Sequence, residues 1–314
     1  MTQPTVRGRE PGTELGFRHE ALLYEGEDGF VDVTAPFLRE GIERGEPALV
    51  VVSGPKIGLL RDELGADARH VQFAEMGQVG ANPARIIPAW QDFLDDHPGE
   101  IVRGIGEPIY PERSPTELDE CVRHEALLNV AFEGGRPWWL VCPYDLAALD
   151  PLVVHEAHRT HPGVWEAGSP KQSDDYMPAW PFAGVLADPP GAAPVVRFTS
   201  APFDGMRALV DAHAVQAGLS AARRADLLLA VSELAANSLR HGGGWGELRV
   251  WHEDDGLVCE IRDEGVLTDP LAGRRRPSPA ETGGRGLWLV NQLCDLAQLR
   301  SSAAGTTIRI FVRD

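Results

Sequence analysis

Between Pro162 and Pro194 the chain carries Pro170, Pro178, Pro181, Pro189 and Pro190, interleaved with Gly163, Gly168, Gly184 and Gly191. Proline lacks the backbone donor and clashes with the preceding turn of a helix, and glycine weakens one, so no long helix crosses this stretch. It divides the 314 residues into two lengths, each sufficient for a core of its own. The expected organisation is a first domain at 15–162, a linker at 163–194 and a second domain at 195–314. The linker is not purely polar. Trp165, Tyr176, Met177, Trp180 and Phe182 are costly to leave wet, so part of it should dock on one domain or between both.

The first domain alternates strand and helix patterns. Pro47–Ser53, Ile101–Ile105 and Trp138–Cys142 contain short apolar runs of the kind found in buried parallel strands. Helical patterns fall at Gly29–Arg44, Lys56–Leu64, Pro83–Asp95 and Ser114–Phe132, the last opening with a Ser N-cap, Pro at N1 and Glu117 at N3. This alternation implies a mostly parallel sheet covered on both faces. After the Val50 run the sequence reads Ser53-Gly54-Pro55-Lys56-Ile57-Gly58, with too few glycines and the wrong spacing to wrap phosphates. One hexapeptide occurs twice, Arg18–Leu23 and Arg123–Leu128. A true duplication should preserve more, so the repeat is read as coincidence or as similar helix chemistry.

In the second domain, Val231–Gly242 reads as a helix that sets Glu233 and Asn237 on one face, one turn apart. A carboxamide there suits a divalent metal carrying a nucleotide, and the carboxylate beside it suits a base or water-holder. Asp263 and Gly265 follow an apolar–polar alternating strand, Leu257–Arg262. Gly283, Gly284, Arg285 and Gly286 then precede a helix at Leu287–Leu296, where backbone N–H groups attract phosphate. Between these boxes, Val266–Thr282 holds three prolines and Arg274-Arg275-Arg276, arginines free to meet phosphates or an acidic partner. A closing hairpin is expected at Ala297–Ser302 and Thr306–Val312, and a first helix from Phe203.

Charge narrows the partners. The net charge of −18 argues against direct nucleic-acid binding and against a polybasic membrane anchor. No stretch is apolar over the roughly 18 residues of a spanning helix, and Met1–Pro11 lacks the apolar core of a secretion signal. Cys121, Cys142, Cys259 and Cys294 are scattered and read as buried free thiols; a cytosolic location is expected. His155, His158 and His161 imitate a zinc pattern, but Pro162 draws His161 out of register. Cationic histidines near a helix C-terminus are the preferred reading.

The three boxes of the second domain, in this order and spacing, resemble the N, G1 and G2 boxes of GHKL ATPases, of the anti-sigma-factor serine kinase type. The resemblance implies an α/β sandwich that binds ATP and Mg²⁺. It gives Glu233 the role of catalytic base and Asn237 that of magnesium ligand. Asp263, Gly265 and Thr306 fall on the adenine side, and Gly283, Gly284, Arg285 and Gly286 on the phosphates. Val266–Thr282 would be the ATP lid, and Arg207 would grip a partner. Leu267 stands where a fuller DxGxG pattern has glycine, which touches loop flexibility rather than the adenine contact. In the first domain, His19, Tyr24 and Cys142-Pro143-Tyr144-Asp145 resemble the MEDS sensory domain of DcmR type. That implies a RecA-like α/β/α fold without a phosphate loop, with His19 and Tyr24 facing an unidentified small-molecule ligand. The combined expectation is a regulatory switch whose kinase domain acts on a sigma factor or an anti-anti-sigma (STAS-type) protein. The alternative is a nucleotide-dependent capture module without turnover. A histidine kinase is disfavoured, because the proline-rich stretch cannot form the phosphoacceptor hairpin. Association into a homodimer is left open.

Overall fold

The computed structural model describes residues 16–166, 169–177, 184–191, 193–253, 256–278 and 284–314. They build one seven-stranded and one five-stranded sheet. The first unit runs β1 (Phe17–Tyr24), α1 (Gly26–Glu43), β2 (Ala48–Val52), α2 (Gly54–Leu64), β3 (Val71–Glu75), α3 (Met76–Val79), α4 (Ile86–Asp96), β4 (Val102–Gly106), α5 (Pro115–Phe132), β5 (Trp138–Asp145), α6 (Pro151–Thr160), β6 (Gly163–Glu166) and β7 (Ser169–Gln172). Strand order is β3-β2-β4-β5-β1-β6-β7, parallel throughout except for the β6–β7 hairpin. All five residues of β2 are buried, as an uninterrupted apolar run requires in a sheet covered on both faces. One face packs Trp90, Trp138 and Leu140, the other Phe30, Leu38 and Leu60.

The described residues bear on two readings of the sequence, the start of the linker and the repeated hexapeptide, which is coincidence rather than shared helix chemistry. Gly163–Glu166 and Ser169–Gln172, expected to fall in the linker, form β6 and β7 and extend the first sheet. Trp165 explains why: its ring packs into the core beneath the sheet, and its indole N–H donates to Glu20 at 2.5 Å. The repeated hexapeptide adopts two structures. Arg18–Leu23 lies in β1 and is paired on both sides, by β5 and β6. Arg123–Leu128 lies in α5, which is nucleated upstream by a complete Ser114–Glu117 capping box. Identical local sequence thus yields to context.

The second unit comprises β8 (Val195–Phe198), α7 (Asp204–Gln216), α8 (Ala221–His241), β9 (Gly246–Glu253), β10 (Gly256–Asp263), α9 (Arg285–Leu293), β11 (Leu296–Ser302) and β12 (Gly305–Val312). Its sheet is antiparallel, in the order β11-β12-β10-β9-β8. Helices α7, α8 and α9 cover one face, burying Val210, Leu227, Val231, Leu234 and Val290 against Leu248, Ile261 and Ile310. The described part of the connecting strap lies on the opposite face. Arg309 Nη2 donates to Ala187 O at 2.7 Å, and Ala193 packs beside Trp251 and Phe311. Trp180 and Phe182 lie outside the described residues. All four cysteines are buried free thiols, and no described helix is long and apolar enough to cross a membrane.

Candidate functional site

The second unit has a cavity of about 640 Å³ between α8, the ends of β10 and β12, and the loop leading to α9. That volume lies within the range of about 300–1,000 Å³ usual for small-molecule sites. Helix α8 presents Glu233 and Asn237, both half-buried, because its opposite side is held in the core by Leu227, Val231 and Leu234. Gly286 in the first turn of α9 packs directly on this pair. A Cβ there would lie 3.0 Å from Glu233 Oε2 and 3.1 Å from Asn237 Nδ2. Gly284 caps α9 with φ at 79°, a left-handed conformation that glycine adopts without strain. Gly284, Arg285 and Gly286 all line the cavity, so the N-terminal N–H groups of α9 open towards Glu233 and Asn237. Gly283 lies outside the described residues.

At the far end of the cavity, Asp263 closes β10. Its Oδ2 accepts from Ser238 Oγ at 2.6 Å and its Oδ1 from Gly265 N at 2.8 Å, so the carboxylate is fixed before any ligand arrives. Glycine is required around it. A Cβ at Gly242 would meet Asp263 Cγ at 2.4 Å, and one at Gly265 would meet His241 O at 2.6 Å. Thr306, paired with Asp263 across β10 and β12, donates to Gly265 O at 2.7 Å and contacts Ser301 Oγ at 2.8 Å. Ser301 in turn accepts from Leu267 N, so the position that lacks the second glycine is held by a side chain. Sequence reasoning missed Ser238 and Ser301. Ser238 carried a usable signal, a polar residue on the buried side of an apolar helix; Ser301 carried none.

The arginine-rich loop departs from expectation. Of its three arginines, only Arg275 is exposed at the cavity without being drawn to the first unit. Arg274 is buried and donates to Glu120 Oε2 of α5 at 3.1 Å. Arg276 bridges to Asp92 of α4 at 2.7 Å. Arg300 of β11 reaches the same Glu120 at 2.8 Å and its neighbour Asp119 at 2.5 Å. On the other side of the loop, Asn291 Nδ2 donates to Gly273 O. The C-terminus of α9 is capped by the first unit: Arg85 donates to the carbonyls of Asn291, Gln292 and Cys294, and Asn82 to those of Asn291 and Cys294. Arg207 donates to Ser232 Oγ at 2.7 Å, beside Glu233 on α8.

In the first unit, His19 and Tyr24 do not come together. They lie five positions apart on β1, and alternation sends them to opposite faces of the sheet. Tyr24 joins the core under α1 and donates to Glu107 at 3.0 Å, with Lys56 bonded to both. Burial pushes its phenol well above the usual range and raises the Glu107 carboxyl, which Lys56 opposes. Lys56 comes from the first turn of α2, which starts directly at Gly54 after β2.

Residues 18–162 match the family described as MEDS, the MEthanogen/methylotroph, DcmR Sensory domain. Residues 199–312 match the histidine kinase-like ATPase domain. The chain joins a MEDS sensory domain to a GHKL-type ATPase domain. Among solved structures, the RsbU and RsbW domains of Rv1364c from Mycobacterium tuberculosis are similar at 19% identity, over 38% of this chain and 32% of that one, with a TM-score of 0.28. The chain thus spans about a third of that relative. No curated protein matches. A MEDS domain and an ATP-binding, kinase-like domain in one chain form a regulatory arrangement.

Proposed function

We propose that the chain is a cytosolic switch in which the MEDS domain, sensing a small molecule, controls an anti-sigma-type serine/threonine kinase. Its partner would be an anti-anti-sigma protein of STAS type or a sigma factor. The sensory unit extends to residue 172, so that β6 and β7 belong to it, and the ATPase unit occupies 195–314.

The observation that carries this reading is the convergence, in one cavity, of Glu233, Asn237 and the N-terminus of α9 at one end and Asp263 at the other. The residues fit a magnesium nucleotide. Among the described residues, the Asn237 amide oxygen has a single long contact, 3.5 Å to Arg240, which leaves it able to take a cation. Asp263 is an anchored acceptor suited to an exocyclic amine, and α9 offers N–H groups to phosphates. Bound magnesium would neutralise phosphate charge. Glu233 would orient the acceptor hydroxyl and take its proton at the carboxylate. Arg275, exposed at the cavity, would meet phosphate or an acidic partner surface. Arg207, tied to Ser232, would position α8 beneath a docked partner.

The test is phosphotransfer from labelled ATP to a purified STAS-type protein. Serine or threonine labelling that disappears in Glu233→Gln supports the kinase. A stable nucleotide-dependent complex without labelling establishes capture instead. The absence of both labelling and complex formation overturns the proposal.

A further inference from the structure

The MEDS domain contains a cluster that the ATP site does not use. His19 of β1, Glu125 of α5, Cys142 of β5 and His161 at the end of α6 point inward together, all buried, with their ligating atoms within 4.8 Å of one another. His19 Nε2 and His161 Nε2 lie 3.0 Å and 3.2 Å from Glu125 Oε2, and Cys142 Sγ lies 3.4 Å from His19 Nε2. An ion held tetrahedrally with bonds of about 2.0–2.3 Å spaces its ligands about 3.3–3.6 Å apart.

The surrounding hydrogen bonds fix what these atoms are. His19 Nδ1 donates to Asn129 Oδ1 at 3.0 Å, and the orientation of that amide is set because its Nδ2 donates to Thr160 O at 2.7 Å. His161 Nδ1 donates to Ala157 O at 2.9 Å. With each Nδ1 turned outwards to a carbonyl-type acceptor, Nε2 is the ring atom that each histidine turns to the cluster. Burial and the neighbouring His161 hold His19 below its usual pKa. The result is two imidazole nitrogens, a carboxylate and a thiol facing one another in a buried space. Among the described residues, Glu125 Oε1 and His161 Nε2 have no hydrogen-bond partner. A buried anion and orphaned lone pairs are costly unless a cation completes them.

We propose that His19, Glu125, Cys142 and His161 bind a structural divalent transition-metal ion, zinc by ligand chemistry. Two neutral imidazoles, one carboxylate and one thiolate around a dication give a neutral centre, and binding releases the Cys142 proton to solvent. The Nδ1–H···O bonds are the orienting second contacts that metal-bound histidines make. The two hexapeptide copies supply one ligand each, His19 from the strand and Glu125 from the helix. With all four positions taken by protein, the ion staples β1, β5, α5 and α6 rather than performing chemistry. It also anchors the helix that carries Glu120 to the arginine loop.

The test is elemental analysis of the full-length chain purified from zinc-supplemented medium, followed by Co²⁺ loading of the metal-stripped protein. About one ion per chain is expected, with thiolate-to-cobalt absorption in the near ultraviolet. Cys142→Ser should abolish that absorption, and His161→Gln should reduce retained zinc at least tenfold. His155→Ala with His158→Ala, which alters only the outer part of α6, should keep the full ion content. A wild-type chain that holds no zinc and gives no cobalt spectrum while folded by circular dichroism overturns the proposal. So does a cobalt spectrum unchanged by Cys142→Ser.

Discussion

Glu120 of the MEDS domain accepts from Arg274 of the ATPase loop at 3.1 Å, with both side chains buried at the junction of the two domains. Arg300 shares the same carboxylate at 2.8 Å. Two arginines of the ATPase domain thus converge on this acid, Arg300 also reaching Asp119, and the loop that lines the cavity is held by a sensory-domain helix. Burial depresses the Arg274 pKa, and Glu120 opposes this.

Removing that charge should release the loop. Glu120→Gln leaves the buried guanidinium groups short of an anion, which costs about 3 kcal/mol when a buried pair is broken. Calorimetry should show the loss, and nucleotide titration should show weaker binding by several-fold, because Arg275 and Arg276 line the cavity from the same loop. Unchanged stability and affinity would show that the contact couples nothing.

The residues proposed to hold nucleotide should separate into binding and chemistry. Asn237→Ala should weaken magnesium-dependent ATP binding, and Asp263→Asn should weaken adenine nucleotides relative to other bases. Glu233→Gln should keep the nucleotide and lose about 10²–10⁴ in phosphotransfer rate. Equilibrium dialysis and single-turnover labelling distinguish these outcomes. Wild-type behaviour of all three variants would remove the cavity from the function.

Glycine packing gives a sharper steric test. At Gly265 an added Cβ meets the His241 carbonyl at 2.6 Å, a backbone atom that cannot swing aside. Gly265→Ala should therefore displace Asp263 and abolish adenine binding while the rest of the domain folds. At Gly286 the neighbours are the side-chain ends of Glu233 and Asn237, so Gly286→Ala should be milder, a shift of the pair rather than a clash. Equal losses from both, measured by nucleotide titration, would contradict this geometry.

The ATPase domain was largely legible because its signals are local. Helix 221–241 and the Asp263 strand end follow from apolar periodicity, and the glycine box marks the start of a helix. The MEDS domain was less legible where pairing decides structure. Nothing in Arg18–Leu23 separates it from Arg123–Leu128 until β5 and β6 flank the first copy. The arginine loop misled for a related reason: Arg274 looks solvated until Glu120, 154 residues away in sequence, covers it. Buried ion pairs between domains leave no periodic trace.

His124 links stability to pH. It is fully buried in α5, its Nδ1 has no partner among the described residues, and burial lowers its pKa to about 3 from 6.5. The fold therefore holds it neutral, and the unfolded chain binds the extra proton between those values. Its contribution is complete above about pH 6.5 and is lost as pH falls towards 3. Denaturant titrations across this window should show stability falling by up to about 1.4 kcal/mol per pH unit for this one proton. His124→Gln should flatten the slope by up to that amount. An unaltered slope would place the acid sensitivity elsewhere.

The capping of α9 by the MEDS domain gives the most direct reading of coupling. Arg85 and Asn82 satisfy the last carbonyls of the helix whose N-terminus lines the cavity. A cation at a helix C-terminus contributes about 0.3–1 kcal/mol beyond the hydrogen bonds it makes. Burial lowers the Arg85 pKa and Asp295 opposes this, so the charge is retained at a desolvated position. In Arg85→Ala, amide hydrogen exchange in α9 should quicken and nucleotide affinity should fall modestly, while exchange in β9 and β10 stays as in wild type. Removing residues 1–172 deletes both caps and the Glu120 contact together, and should produce the same pattern more strongly, with the cavity still able to bind nucleotide. Exchange in α9 that is indifferent to both changes would show that the ATPase domain holds its phosphate helix unaided, and that the sensory domain acts on the partner instead.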